Sequence, residues 1–142
     1  MNDRAVSTVV TWTLTLLITT LLITGLLVAT GNQIESRTES VTQTELSVVG
    51  QRVAADLAAA DRLAASGATA VRVDTSLPAR VASGQYRVRL TATNGSATIV
   101  VLTDDRSVRV PVGNRTAVRN STVSGGDLHV VLDGGALEVA SA

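Results

Sequence analysis

Between Arg4 and Glu35 the chain carries no charged residue, and the centre of that stretch reads TLTLLITTLLITGLLVAT. About thirty residues at ~1.5 Å each make a helix of roughly 45 Å, longer than the ~30 Å hydrocarbon core of a bilayer. A secretory signal has a shorter apolar region with a small-residue cleavage site after it. Here the run is longer and no A-x-A follows it. A buried helix of this length with no polar face does not suit a chain of 142 residues. The expectation is a membrane-spanning helix, with the lipid bilayer as its first partner and room beyond it for one modest domain.

Composition narrows what that domain can be. Formal net charge is zero, so there is no bulk electrostatic case for nucleic acid, and none is expected as a partner. The absence of cysteine excludes a disulfide framework, a thiolate metal site and a cysteine nucleophile. With no Phe, one Trp and one Tyr, the core must be built from Val, Leu, Ile and Ala. Every basic residue is Arg, a usage that points to a GC-rich genome.

Only Met-Asn-Asp-Arg-Ala precedes the apolar run. The junction Asp3-Arg4-Ala5-Val6-Ser7 resembles the leader junction of archaeal, in particular haloarchaeal, type IV pilins and pseudopilin-like proteins. The resemblance covers roughly residues 3–31. It implies cleavage by a prepilin peptidase between Ala5 and Val6, with the apolar segment kept in the mature subunit. It also implies an assembly ATPase and a polytopic platform protein as partners, and other pilin-like subunits packed through the N-terminal helix. Family members typically continue Ser-Pro-Val-Ile-Gly, where this chain has Ser7-Thr8-Val9-Val10-Thr11. That departure points to a minor subunit and not a major pilin. An uncleaved signal anchor is the alternative at this junction.

Arginines near the span are close to balanced, since Glu35, Glu39 and Glu45 offset Arg37 and Arg52 beyond its far end. The junction and the glycosylation motifs below set the orientation instead: a single pass, N-terminus cytoplasmic and C-terminal domain extracellular, with a surface filament as a possible destination. Thr8, Thr11, Thr13, Thr15, Thr19, Thr20, Thr24 and Thr30 fall within the span. A threonine tolerates lipid by returning its hydroxyl to the carbonyl one turn back, or it bonds to a neighbouring helix.

From Asn32 to Ser66 there is no proline and one internal glycine, Gly50. Val49, Val53, Leu57, Ala60 and Ala64 recur at helical spacing and mark an apolar stripe. Arg52 and Asp56 stand at i, i+4 on the exposed side. Gly67 suits a left-handed cap. The pattern predicts one helix from Val6 to Ser66, weakest over residues 35–47. After Gly67 the period changes to two. Tyr86, Val88, Leu90 and Ala92 alternate with Arg87, Arg89, Thr91 and Thr93, as in a half-buried strand. Asn94-Gly95 is a strong hairpin signal. Further strands are expected over 97–103, 107–112, 116–123, 128–132 and 137–139, with Pro111 marking an edge. The expectation is an α+β, pilin-like fold: a long helix packed by its second half on an antiparallel meander of five or six strands. Its parts are a leader (1–5), a transmembrane or assembly helix (6–34), an amphipathic continuation (35–66) and an extracytoplasmic β domain (70–142).

Three N-x-S/T sequons, at Asn94, Asn114 and Asn120, fall at predicted turns or strand ends and are glycosylation candidates, with Asn114 or Asn120 preferred because Asn94 is already explained by its turn. His129 is the only histidine and is expected on a solvent face, with no second histidine or cysteine to complete a metal site. Ser124, Asp127 and His129 have triad chemistry but lack nucleophile-elbow glycines and a shared face. Gly125–Leu128 and Gly134–Leu137 are similar turns. No nucleotide-binding or dinucleotide motif occurs, so no cofactor and no enzymatic activity are expected. The expected function is a non-enzymatic structural subunit, pilin-like, for a surface filament or pseudopilus. The alternative is a single-pass, membrane-anchored surface domain that binds a ligand or partner without assembling.

Overall fold

Helix α1 (Asn2–Ala65) is followed by eight strands: β1 (Arg72–Thr75), β2 (Arg87–Thr93), β3 (Ser96–Leu102), β4 (Ser107–Val112), β5 (Ala117–Val118), β6 (Ser121–Ser124), β7 (Leu128–Asp133) and β8 (Ala136–Ser141). The structure, a computed structural model, describes residues 2–142, with the side chains of residues 8–31, 37 and 39–142. The fold is α+β, as expected. The weak join expected at 35–47 is helical. The chain divides into two units, Met1–Arg37 and Thr38–Ala142.

In the first unit the side chains from Thr8 to Gly31 are all exposed. In the second, α1 is the central support. Its alanine-rich last turns favour helix strongly. It stops where Gly67 takes φ 97°, with the Gly67 N–H bonded to the Ala64 carbonyl and the Ala68 N–H to that of Leu63. This is a Schellman cap, which needs the left-handed residue that glycine supplies. The expected stripe is buried at Val49, Val53, Leu57 and Ala60, and it reaches further back than expected, to Leu46 and Thr42.

The strands form two four-stranded sheets, not one meander. Sheet 1 has the order β1-β7-β8-β5 and sheet 2 the order β4-β3-β2-β6. All pairs are antiparallel except the short β5–β8 contact. The β2–β3 hairpin turns through Asn94 (φ 51°) and Gly95 (φ 79°), the pair of positive φ values of a type I′ turn. Pro111 lies on β4, an edge of sheet 2, as its missing N–H requires.

The expected strand over 116–123 is two strands in different sheets. Ala117–Val118 lies along β8, and the Arg119 N–H bonds to the Leu137 carbonyl. Asn120 then accepts the Ala92 N–H through Oδ1 (2.7 Å), and Ser121 starts the pairing with β2. Ser121 Oγ also accepts the Val139 N–H (3.0 Å), so this segment stitches the two sheets together. Their inner faces and the α1 stripe share one core, in which Leu46, Leu57, Leu90, Ile99, Leu128 and Leu137 are fully buried. Gly50 marks a close approach of α1 to β4: a Cβ there would stand 2.9 Å from Val110 Cγ2.

Candidate functional site

Two features stand out, one in each unit. In the first, Thr8–Gly31 is a helical stretch of 24 residues that holds an 18-residue window of mean hydropathy 2.1, and none of its residues is buried. It is long and apolar enough to cross a membrane. Its threonines hydrogen-bond back along the helix. Thr13 donates to the Val9 carbonyl, Thr15 to Thr11, Thr19 to Thr15, Thr20 to Leu16, Thr24 to Thr20 and Thr30 to Leu26, at 2.8–2.9 Å. Each hydroxyl so engaged has its hydrogen satisfied without water, which is the condition for an apolar surrounding.

In the second unit, four carboxylates of α1 each hold a different segment. Glu39 pairs with Arg106 at the β3–β4 turn (2.8 Å). Glu45 accepts the Ala82 N–H (2.6 Å). Asp56 accepts the Thr75 hydroxyl on β1 (2.7 Å). Asp61 accepts the Arg115 N–H (3.0 and 3.1 Å) and the Thr116 N–H (2.7 Å) in the β4–β5 connection. The expected Arg52–Asp56 pair is absent from the ion pairs among the described residues, because Asp56 turns to Thr75 instead. Asp61 is buried, which by itself would raise its pKa. The Thr116 amide and hydroxyl, the Arg115 amide and the Arg115 charge outweigh burial and hold the carboxyl below its ordinary 3.8.

The sequons have three different settings. Asn94 is exposed at the hairpin tip. Asn120 is exposed, with its Oδ1 holding the Ala92 N–H. Asn114 is half-buried and engaged at both ends of its amide: Oδ1 accepts the Ala97 N–H (2.8 Å) and Nδ2 donates to the Thr116 carbonyl (2.9 Å). The junction residues Ala5 and Val6 lie in the first turns of α1, outside the residues whose side chains are described.

A family model matches residues 1–141, taking in both the apolar helix and the β domain. It describes DUF7266, a family of unknown function. The chain belongs to this family. No curated protein and no solved structure matches it.

In this DUF7266 member, an apolar cleft of about 250 Å³ lies between α1 and residues 76–81, lined by Val48, Val49, Arg52, Leu77, Pro78 and Val81 among others. It falls under the ~300–1,000 Å³ usual for small-molecule sites. Among the described residues no three His, Cys, Asp or Glu side chains gather as a metal site. His129 is half-buried on β7, opposite Asp74 of β1, on the outer face of sheet 1. Its Nδ1 is buried with no hydrogen-bond partner in the protein. Ser124 ends β6 in sheet 2, while Asp127 accepts the Ser76 hydroxyl (2.8 Å), so Ser124, Asp127 and His129 do not form a hydrogen-bonded row. Asp104 and Asp105 form the β3–β4 turn, closed by the Thr103 N–H bonded to the Arg106 carbonyl. Tyr86 is buried, donates to the Pro78 carbonyl (2.6 Å), and has its pKa pushed up by burial against an opposing backbone contact at Gly126.

Proposed function

We propose that this chain is a type IV pilin-like structural subunit, of the minor kind, for a cell-surface filament or pseudopilus. The reading is carried by one observation: 24 apolar helical residues are left wholly unburied, while the second unit completes a core of its own. Such a helix needs a second apolar environment. Lipid supplies it before assembly, and the helices of neighbouring subunits supply it afterwards. The back-bonded threonine hydroxyls suit both settings. On this reading a prepilin peptidase removes residues 1–5 and leaves Val6 as the new terminus. An assembly ATPase and a platform protein drive the exchange, since the chain carries no energy-coupling motif of its own. The N-terminus is cytoplasmic and the β domain extracellular. There Asn94 and Asn120 are the glycosylation sites of choice, because the Asn114 amide is occupied by backbone groups.

Mass spectrometry of the protein extracted from membranes of its own cell tests this. The expected mass lacks residues 1–5 and the expected terminus is Val6. An intact Met1 would leave a membrane-anchored surface domain, and a terminus beyond residue 31 would leave a secreted one. Either result removes the pilin reading.

A further inference from the structure

Sheet 2 contains no acidic residue and three arginines. The strand registers bring those three together. Arg109 on β4, Val100 on β3 and Arg89 on β2 form one cross-strand row, and Arg87 stands two residues along β2 on the same face. Arg87, Arg89 and Arg109 are all exposed, and none belongs to an ion pair among the described residues. With ~3.4 Å per residue and ~4.8 Å between strands, their triangle has sides of about 7, 10 and 12 Å. Asp104, in the β3–β4 turn, lines the same depression as Arg87 without pairing with it, so the carboxylates nearest this face lie at its rim. Three like charges at that spacing, unpaired on the sheet itself, make a positive field that favours an anionic surface.

The outer face of sheet 1 supplies such a surface. Asp74 on β1, Asp133 on β7 and Glu138 on β8 share it, and Asp127 is exposed one residue before β7. Arg72 pairs with Asp74, and Arg119 with Asp133 and Glu138, so two guanidinium groups stand among four carboxylates. The face stays net negative. The chain as a whole has formal net charge zero, so the two faces are a segregation of charge and not an excess. Asp74 and Glu138 are two strands apart and two residues out of register, as the partners of His129 and Val131 place them. That diagonal is about 12 Å, the same as the one from Arg87 to Arg109.

We propose that the arginine face of sheet 2 docks on the acidic outer face of sheet 1 in a second copy of this chain. The two surfaces differ, so the contact is heterologous: a docked pair keeps one free face of each kind, one on each copy, and the arrangement can repeat as an open array. The proposal deepens the assembly reading and rests on it for its setting. It adds a salt-sensitive contact between β domains to the apolar contact between helices.

The test is sedimentation equilibrium of the full chain in an uncharged detergent, from about 50 mM to about 500 mM NaCl. The expected result is an association constant that falls about tenfold or more at high salt. The double variant Arg87→Glu/Arg89→Glu should lose self-association, as should Asp74→Arg/Glu138→Arg. A mixture of the two should associate again, because the reversed faces now match each other. Arg87→Ala/Arg89→Ala keeps the test alive if a reversed variant misfolds, and should show partial loss. Salt-independent association, or a folded pair of reversed variants that do not combine, would overturn the docking while leaving the helix contact and the Val6 terminus untouched. Binding of heparin that disappears in Arg87→Glu/Arg89→Glu, with no salt-sensitive self-association, would assign the face to an anionic polymer and overturn the proposal equally.

Discussion

Asp61→Ala removes the acceptor of two backbone N–H groups in the β4–β5 connection, those of Arg115 and Thr116. A hydrogen bond to a charged group contributes about 1.5–3 kcal/mol, and a donor left unpaired in a buried place costs about 1–3 kcal/mol. Arg115 is exposed and Thr116 half-buried, so water can take over part of the role. The expected loss is therefore about 2–4 kcal/mol. At roughly 4 °C per kcal/mol for a domain near a hundred residues, Tm falls by about 8–16 °C. Asp61→Asn keeps one acceptor oxygen and loses the charge, so about half that loss is expected. The sign with pH follows from the direction of the shift. The folded carboxyl sits below its ordinary 3.8, so the unfolded chain takes up this proton first as pH falls. Asp61 therefore stabilises fully above that ordinary value, and the contribution disappears as pH drops through the folded pKa. The gap between wild type and Asp61→Asn should be widest at neutral pH and close below about pH 4. Near-ultraviolet circular dichroism of the full chain in neutral detergent measures this well, because the single tyrosine, Tyr86, is buried in the β domain and reports its packing. An Asp61→Ala protein within about 0.5 kcal/mol of wild type would refute the reasoning, as would a gap that stays constant on acidification.

At Gly50 two effects oppose each other. Alanine gains up to ~1 kcal/mol of helix propensity but places its Cβ 2.9 Å from the stiff Val110 side chain. Gly50→Ala is expected near neutral and Gly50→Leu about 1–3 kcal/mol less stable, measured by denaturant unfolding. Asn114→Gln should destabilise by about 1–2 kcal/mol because it breaks contacts to Ala97 and Thr116, whereas Asn94→Gln at the exposed turn should cost less than about 1 kcal/mol. In the native cell, glycan mass should sit on Asn94 or Asn120 and disappear in Asn94→Gln/Asn120→Gln.

Much of the fold is legible where the physical cause is local. The stripe Val49, Val53, Leu57 and Ala60 follows from helical period, the stop at Gly67 from the left-handed cap, the β2–β3 turn from Asn94-Gly95, and the edge position of β4 from Pro111. What stays hidden depends on distant partners. Nothing in Thr116–Val123 breaks a strand, and its division at Arg119 and Asn120 follows from the Leu137 carbonyl and the Ala92 amide, both remote in sequence. Leu46 and Thr42 are buried in a stretch whose polar neighbours obscure the period. Asp56 and Asp61 sit in an alanine-rich helix where acids read as a solvated face, yet their partners lie 19 and 54–55 residues away. The sequons are plain as motifs, but only the folded chain distinguishes the tied amide of Asn114 from the free position of Asn94.

Glu39, Glu45, Asp56 and Asp61 grip four separate segments along about 33 Å of helix. A pull along the axis of this part of α1 strains all four in shear at once, so the strands cannot peel away one contact at a time. Sliding the helix by even one residue, ~1.5 Å, misaligns every tether together. A chain tugged by this part of its helix would thus bear load as a bolt in a row of notches does, holding its position until the whole set gives way.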